Sequence, residues 1–183
     1  MARTLVIGFG NLDRGDDGAA FHIVNRLREN LGLGPLEEDD NGLSCLGGEM
    51  DAVFVRQLLP EHAVEASGYD RLVLVDAHVE ADHRDIVCTR VEPEQRPCAL
   101  GHILPPANFL WLARKVSGKP IDAYIVSVRG RRFEMAGGLS ETTAALIPDA
   151  SDTVRGLLGA GTCGRDQLNE LDPSRAEDQR RNS

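Results

Sequence analysis

The spacing of hydrophobic positions changes several times along the chain, and each change marks an element. Thr4-Leu-Val-Ile7 is a short apolar run with β-branched residues, closed by Gly8, which predicts a buried strand. From Asp17 to about Asn30, Ala20, Phe21, Val24 and Leu27 fall on one helical stripe, while Arg26, Arg28 and Glu29 face outward. The stretch 32–41, rich in Gly, Pro and acid, reads as a loop, and 42–46 as a second strand ended by Gly47-Gly48. Asp51 to Leu59 reads as a helix with Val53, Phe54 and Leu58 on its apolar face and Pro60 as its limit. Leu72-Val-Leu-Val75 is the clearest strand and runs directly into Asp76, whereas the more polar 85–91 suits a sheet edge. Pro105 and Pro106 suit the first turn of a helix that Phe109, Leu110, Leu112, Ala113 and Val116 carry to Gly118. A strand follows at 124–128. Ser140 is a good N-cap for a last helix through Leu158, which Pro148 must kink or interrupt. Strands alternating with helices predict an α/β fold: a twisted, mostly parallel five-stranded sheet between helical layers, a three-layer sandwich.

Composition sets the outer bounds. The 183 residues suit one domain, assigned to 1–160. Residues 161–183 are nearly devoid of bulky apolar side chains and carry four Arg and five acidic residues, which predicts a disordered tail. With 20 Lys plus Arg against 29 Asp plus Glu, the net charge of −9 argues against a nucleic-acid partner. Arg129, Arg131 and Arg132 form a small local basic patch. Cys45, Cys88, Cys98 and Cys163 show neither a CxxC nor a zinc-finger spacing, no signal peptide precedes the first strand, and no run approaches the roughly 18 to 20 apolar residues of a membrane span. The expectation is a cytoplasmic protein with free thiols and no membrane insertion.

Candidate chemistry begins where the first strand ends, at Gly8-Phe9-Gly10-Asn11-Leu12-Asp13-Arg14-Gly15-Asp16-Asp17-Gly18. A glycine-rich turn here suggests a dinucleotide site, but Asp13 stands where G-x-G-x-x-G needs its third glycine. Asp16 and Asp17 also occupy the place where a pyrophosphate wants bare amides, so no nucleotide is expected. Carboxylates are favoured as N-caps and in first helical turns. One acid satisfies that need, and as a cap Asp16 should tolerate replacement by asparagine. Asp17 shares the buried stripe of Ala20, Phe21 and Val24, where a carboxylate is costly unless paired or bound to a cation; capping and ligation stand as equal readings. Asp76, read alone, caps a turn at Ala77-His78. Its position at the carboxyl end of a strand, the edge where parallel sheets bind ligands, makes it a neighbour of Asp17. His102 precedes the proline-marked helix and, read alone, is a surface histidine. His22, His62, His78 and His83 compete with it, and His78 is a rival ligand two residues from Asp76. No G-x-S-x-G or H-E-x-x-H is present.

The run Gly8 to Gly18 resembles the opening signature of the hydrogenase maturation proteases, endopeptidases that trim the C-terminus of the [NiFe]-hydrogenase large subunit. The resemblance continues through Leu72 to Ala77, Gly101-His102, Ala123 to Val128, Phe133-Glu134 and Gly138-Leu139-Ser140, covering about residues 4 to 158 in order. It implies a twisted, mostly parallel sheet between helical layers and an endopeptidase acting on the large-subunit precursor after nickel insertion. It also implies metal contact through Asp17, Asp76 and His102, with nickel arriving in the precursor and zinc or cadmium able to replace it. Two carboxylates and one imidazole suit such a borderline ion and leave positions open for thiolates of the precursor. Many relatives carry Asp-Gly-Gly after the second strand. The run matched to it here is Leu46-Gly47-Gly48, which lacks the acid, with Gly47 and Gly48 expected to admit a substrate backbone or simply to turn the chain. The runner-up is a non-catalytic nickel-binding or chaperone-like protein of the same fold.

Overall fold

In the centre of the molecule two apolar runs pair side by side: β1 (Thr4–Phe9) and β3 (Arg71–His78), parallel, with Gly8 opposite Val75. Strands buried on both faces read as continuous hydrophobic runs, which is why these two were plain in the sequence. Around them the computed structural model, which describes residues 2–79, 84–95, 104–135 and 137–159, adds β2 (Met50–Val55), β4 (Ile86–Arg90) and β5 (Asp122–Arg129). The five-stranded order is β2-β1-β3-β5-β4, parallel throughout except for the antiparallel edge strand β4. Helices α1 (Ala19–Asn30) and α5 (Ile147–Gly159) cover one face; α2 (Pro60–Ala66) and α3 (Pro106–Ser117) cover the other. Alternation along the strands divides the core accordingly. Val6, Val73, Val75 and Val126 pack toward α1 and α5, while Leu5, Ile7, Leu72 and Leu74 pack toward α2 and α3. The expected three-layer α/β sandwich is present.

Its second strand is not where the hydrophobic pattern put it. Residues 42–46 form no strand: Leu43–Cys45 is a short 3-10 turn. The segment expected as a helix over 51–59 is instead β2, in which Ala52, Val53, Phe54 and Val55 are each at most 5% exposed. Four consecutive buried residues carry no period, so a helix and a doubly covered strand look alike there. Pro60 opens α2 instead of closing a helix, and His62 stands in the first turn of α2, with its Nδ1 accepting the Leu59 N–H at 3.2 Å. The last helix is interrupted as Pro148 requires. Ser140 caps α4 (Glu141–Ala144), accepting the Thr143 N–H, and α5 starts afresh at Ile147. The tail expected over 161–183 lies outside the described residues. Among those described, no helix is long and apolar enough to cross a membrane.

The corrected strand also moves Gly47 and Gly48. Since Thr4 pairs with Met50, both glycines sit at the amino edge of the sheet, at the opposite end from Asp76. There the Asp51 carboxylate accepts the Gly47 N–H at 3.1 Å and the buried Tyr69 hydroxyl at 2.6 Å, and Arg3 lies over the Tyr69 ring. These contacts guide the chain into β2. The run that actually follows the second strand is Arg56-Gln57-Leu58. Tyr69→Phe leaves the Asp51 oxygen short of its buried donor and is expected to cost roughly 1–2 kcal/mol, read as a lower denaturant midpoint. An unchanged midpoint would show that the contact contributes nothing.

Candidate functional site

The carboxyl edge of the sheet is shaped by one contact that only glycine permits. After β1 the chain turns at Gly10, with φ of 147°, and a Cβ there would stand 2.0 Å from the main-chain oxygen of Asp17. Asp17 belongs to a 3-10 turn, Gly15–Gly18, that leads into α1, and its Oδ2 accepts the Asn11 N–H at 3.2 Å. The side chain is thereby folded back over the end of β1. Neither acid of the pair caps a helix. The N-cap positions belong to Arg14 and Gly18, and neither makes a side-chain capping bond.

Asp76 ends the apolar part of β3 opposite Ser127 of β5, on the same sheet face as Leu72 and Leu74. Its Oδ1 accepts the Ala77 N–H at 2.8 Å. Burial pushes its pKa up to about 7; the negative charge of Asp17 adds to the rise, and the Ala77 amide opposes it. Asp17 and Asp76 thus lie near enough at this edge for the charge of one to act on the other. Among the described residues neither carboxylate has an ion-pair partner. No third His, Cys, Asp or Glu among those residues completes a metal-binding group with them. His102 and His83 lie outside the described residues. The chain just beyond His102 returns to this same edge, where Leu104 donates to the Leu58 oxygen at 3.0 Å. His78, the rival ligand, has Nδ1 at 3.0 Å from the Ser127 hydroxyl, and His22 is exposed on α1.

Two further features were absent from the sequence reading. A cleft of about 720 Å³ opens beside the carboxyl end of β2, between Leu12, Val55, Arg56 and Leu59 on one side and Glu38 and Asp39 on the other. Val55 pairs with Phe9, so the cleft begins two strand spacings from Asp76, roughly 10 Å. The second feature is Asp16, fully buried, whose carboxylate gathers the N–H groups of Arg131, Arg132 and Ser140 with the hydroxyls of Ser140 and Thr143. Burial alone would raise its pKa; the amides of Ser140 and Arg131, the Ser140 hydroxyl and the Arg132 amide outweigh it and bring the group down to about 2. In the basic patch noted in the sequence, Arg129 and Arg131 share one carboxylate, Asp85, at 3.7 and 3.3 Å, and Arg132 donates to the Gly138 oxygen.

Fold and site together define a doubly wound α/β protein that gathers acids where such sheets bind ligands. No protein-family model matches the chain. A curated protein of Methanocaldococcus jannaschii, provisionally named a hydrogenase maturation protease, is 25% identical over 162 residues, covering 84% of this chain and 95% of its own length. The structure of the hydrogenase maturating endopeptidase HybD from Escherichia coli superposes with a TM-score of 0.62 at 22% identity, over 87% of this chain and 94% of that one. The [NiFe] hydrogenase maturation protease HycI from Thermococcus kodakarensis gives 0.59 at 18% identity with the same coverage, 87% and 94%. The chain thus shares the fold of the hydrogenase maturation proteases and is similar in sequence to a curated protein provisionally named as one.

The raised Asp76 makes stability depend on pH. The folded chain keeps the Asp76 proton up to about pH 7, whereas the unfolded chain releases it near 3.8. The stability this adds is complete below 3.8 and is lost as pH rises through 7. Asp76→Asn is therefore expected to raise the melting temperature of the metal-free protein at pH 8 by a few degrees, on the order of 1–2 kcal/mol, with little change at pH 4. Thermal scans at both pH values check this, and equal shifts would show that the ionised carboxylate is no burden.

Proposed function

We propose that the chain is an endopeptidase that removes the C-terminal extension of a [NiFe]-hydrogenase large-subunit precursor once nickel has been inserted. The observation that carries this reading is the pair of uncompensated carboxylates, Asp17 and Asp76, at the carboxyl edge of a fold shared with proteins named for that activity. A divalent cation is the simplest relief for two close carboxylates, and a set of hard oxygens with an imidazole suits nickel, with zinc or cadmium as substitutes. In this reading nickel is part of the substrate, contacted by Asp17, Asp76 and His102. Thiolates would come from the precursor; among the described residues Cys45 is exposed ahead of β2 and Cys88 is buried in β4.

The nickel supplies Lewis-acid polarisation of the scissile carbonyl or of the attacking water. A carboxylate oxygen left free of the metal would accept a proton from that water and return it to the departing amine. The neighbouring cleft gives the precursor room to lie across the end of β2.

The decisive measurement is a gel-shift assay on nickel-loaded and nickel-free precursor. Wild type is expected to shorten only the loaded form. Asp17→Asn, Asp76→Asn and His102→Ala should each slow cleavage at least 100-fold, while His78→Ala should keep most of the activity. Cleavage of both precursor forms at equal rates would refute the nickel-reading mechanism. Nickel binding without any shortening would instead favour the non-catalytic alternative.

A further inference from the structure

We propose that Asp16 is a positioning residue, which locks the Gly15–Gly18 turn to the 130–143 segment and so sets where the Asp17 carboxylate stands. The inference rests on the reading of Asp17 as a metal-contacting residue. Within the turn the main chain makes local bonds, Arg14 N–H to the Asn11 oxygen at 3.1 Å and Asp17 N–H to the Arg14 oxygen at 3.2 Å. Gly15 and Gly18 flank the two acids and carry no side chains, and the Asp17 carboxylate itself accepts one amide bond, at 3.2 Å from Asn11. Asp16, one residue away, is bound on every side. Its Oδ2 takes the Arg131 and Arg132 amides at 2.7 and 2.8 Å, the Ser140 hydroxyl at 2.8 Å and the Thr143 hydroxyl at 2.9 Å. Its Oδ1 takes the Ser140 amide at 2.6 Å. In return the Asp16 N–H donates to the Arg132 oxygen at 2.8 Å, so turn and segment grip each other in both directions.

The chemistry demands a carboxylate. Each Asp16 oxygen faces at least one main-chain N–H, which cannot turn around to become an acceptor. An asparagine must therefore aim its amide group at a donor whichever way it is flipped, and the turn has to shift to relieve that clash. Asp17 is attached to that turn and presses its oxygen against Gly10, so a shift of Asp16 is passed on at once to the carboxylate beside it. This reverses the expectation that Asp16 is a replaceable cap.

The test uses the full chain with nickel alone as calorimetric probe and cobalt as spectroscopic probe of ligand geometry. The variants are Asp16→Asn, the double variant Ser140→Ala with Thr143→Val, and Asp17→Asn as reference. The double variant removes two hydroxyl donors and leaves the main-chain donors in place, so it stays informative if Asp16→Asn does not fold. Tyr69→Phe, which loosens the opposite edge of the sheet, controls for general destabilisation. Expected are at least tenfold weaker nickel binding and an altered cobalt spectrum for Asp16→Asn, two- to fivefold weaker binding for the double variant, and wild-type behaviour for Tyr69→Phe. Wild-type affinity and spectrum in both the folded Asp16→Asn protein and the double variant, with binding lost in Asp17→Asn, would overturn the positioning role and leave the site reading intact. Loss in Tyr69→Phe equal to that in Asp16→Asn would overturn it too. Wild-type affinity in Asp17→Asn would remove the site reading itself, and this inference with it.

Discussion

Two carboxylates of like charge, Asp17 and Asp76, are held close enough that one raises the pKa of the other, and much of the carboxyl edge follows from that placement. Left to itself a pair of this kind moves apart or takes up a proton. The fold prevents the first. Asp76 is fixed by the pairing of β3 between β1 and β5, and Asp17 is fixed by a turn pressed against Gly10, where no side chain would fit. The arrangement costs stability that a loop sequence could easily avoid. Strain of this sort collects at sites that act on a ligand.

Two aspartates of identical chemistry, Asp16 and Asp76, meet opposite fates here. Asp16 is fully buried yet holds its charge, because amides and hydroxyls converge on both of its oxygens. Asp76 is driven toward its neutral form by burial, to which the negative charge of Asp17 adds, and the single Ala77 amide it accepts is too little to offset them. Burial raises both, and the donors gathered on Asp16 reverse its effect while the one on Asp76 does not. One of these acids serves to hold the structure and the other is poised to change its partner.

What could be read from the sequence depends on how local the cause is. The runs 4–7 and 72–75 and the stripes of α1 and α3 carry their own period or their own lack of one, and they were placed correctly. Strand β2 escaped because Ala52 to Val55 is covered on both faces by elements far away in the chain, so its neighbours and not its own pattern make it a strand. The same shift places Gly47 and Gly48 at the amino edge of the sheet, at the opposite end from Asp76. The meeting of Asp17 and Asp76 was legible, since both end or follow strands at one edge. The role of Asp16 was not, because its partners stand 115 to 127 residues further along. The cleft was hidden for the same reason: Glu38 and Asp39 face Arg56 only because a loop returns along β2, where the Phe54 N–H donates to the Asn41 oxygen at 3.1 Å.

The raised pKa of Asp76 bears on how the pair is tolerated in the folded chain. Below pH 7 a proton on Asp76 neutralises one member of the pair, so the fold need not bear two bare charges. In the proposed reading a divalent ion would replace that proton and relieve the same repulsion, which would make proton and metal direct competitors for one place. Their exchange is cheap near neutrality, because the proton is then held only weakly. A carboxylate titrating near 4 would bear the full repulsion whenever the metal was absent, and one titrating near 9 would yield its proton to a metal only reluctantly. A value close to 7 lies between these penalties. It is produced by partial burial and by Asp17 standing where Gly10 and the following turn put it. The electrostatics of the site thus trace back to the short motif between β1 and α1.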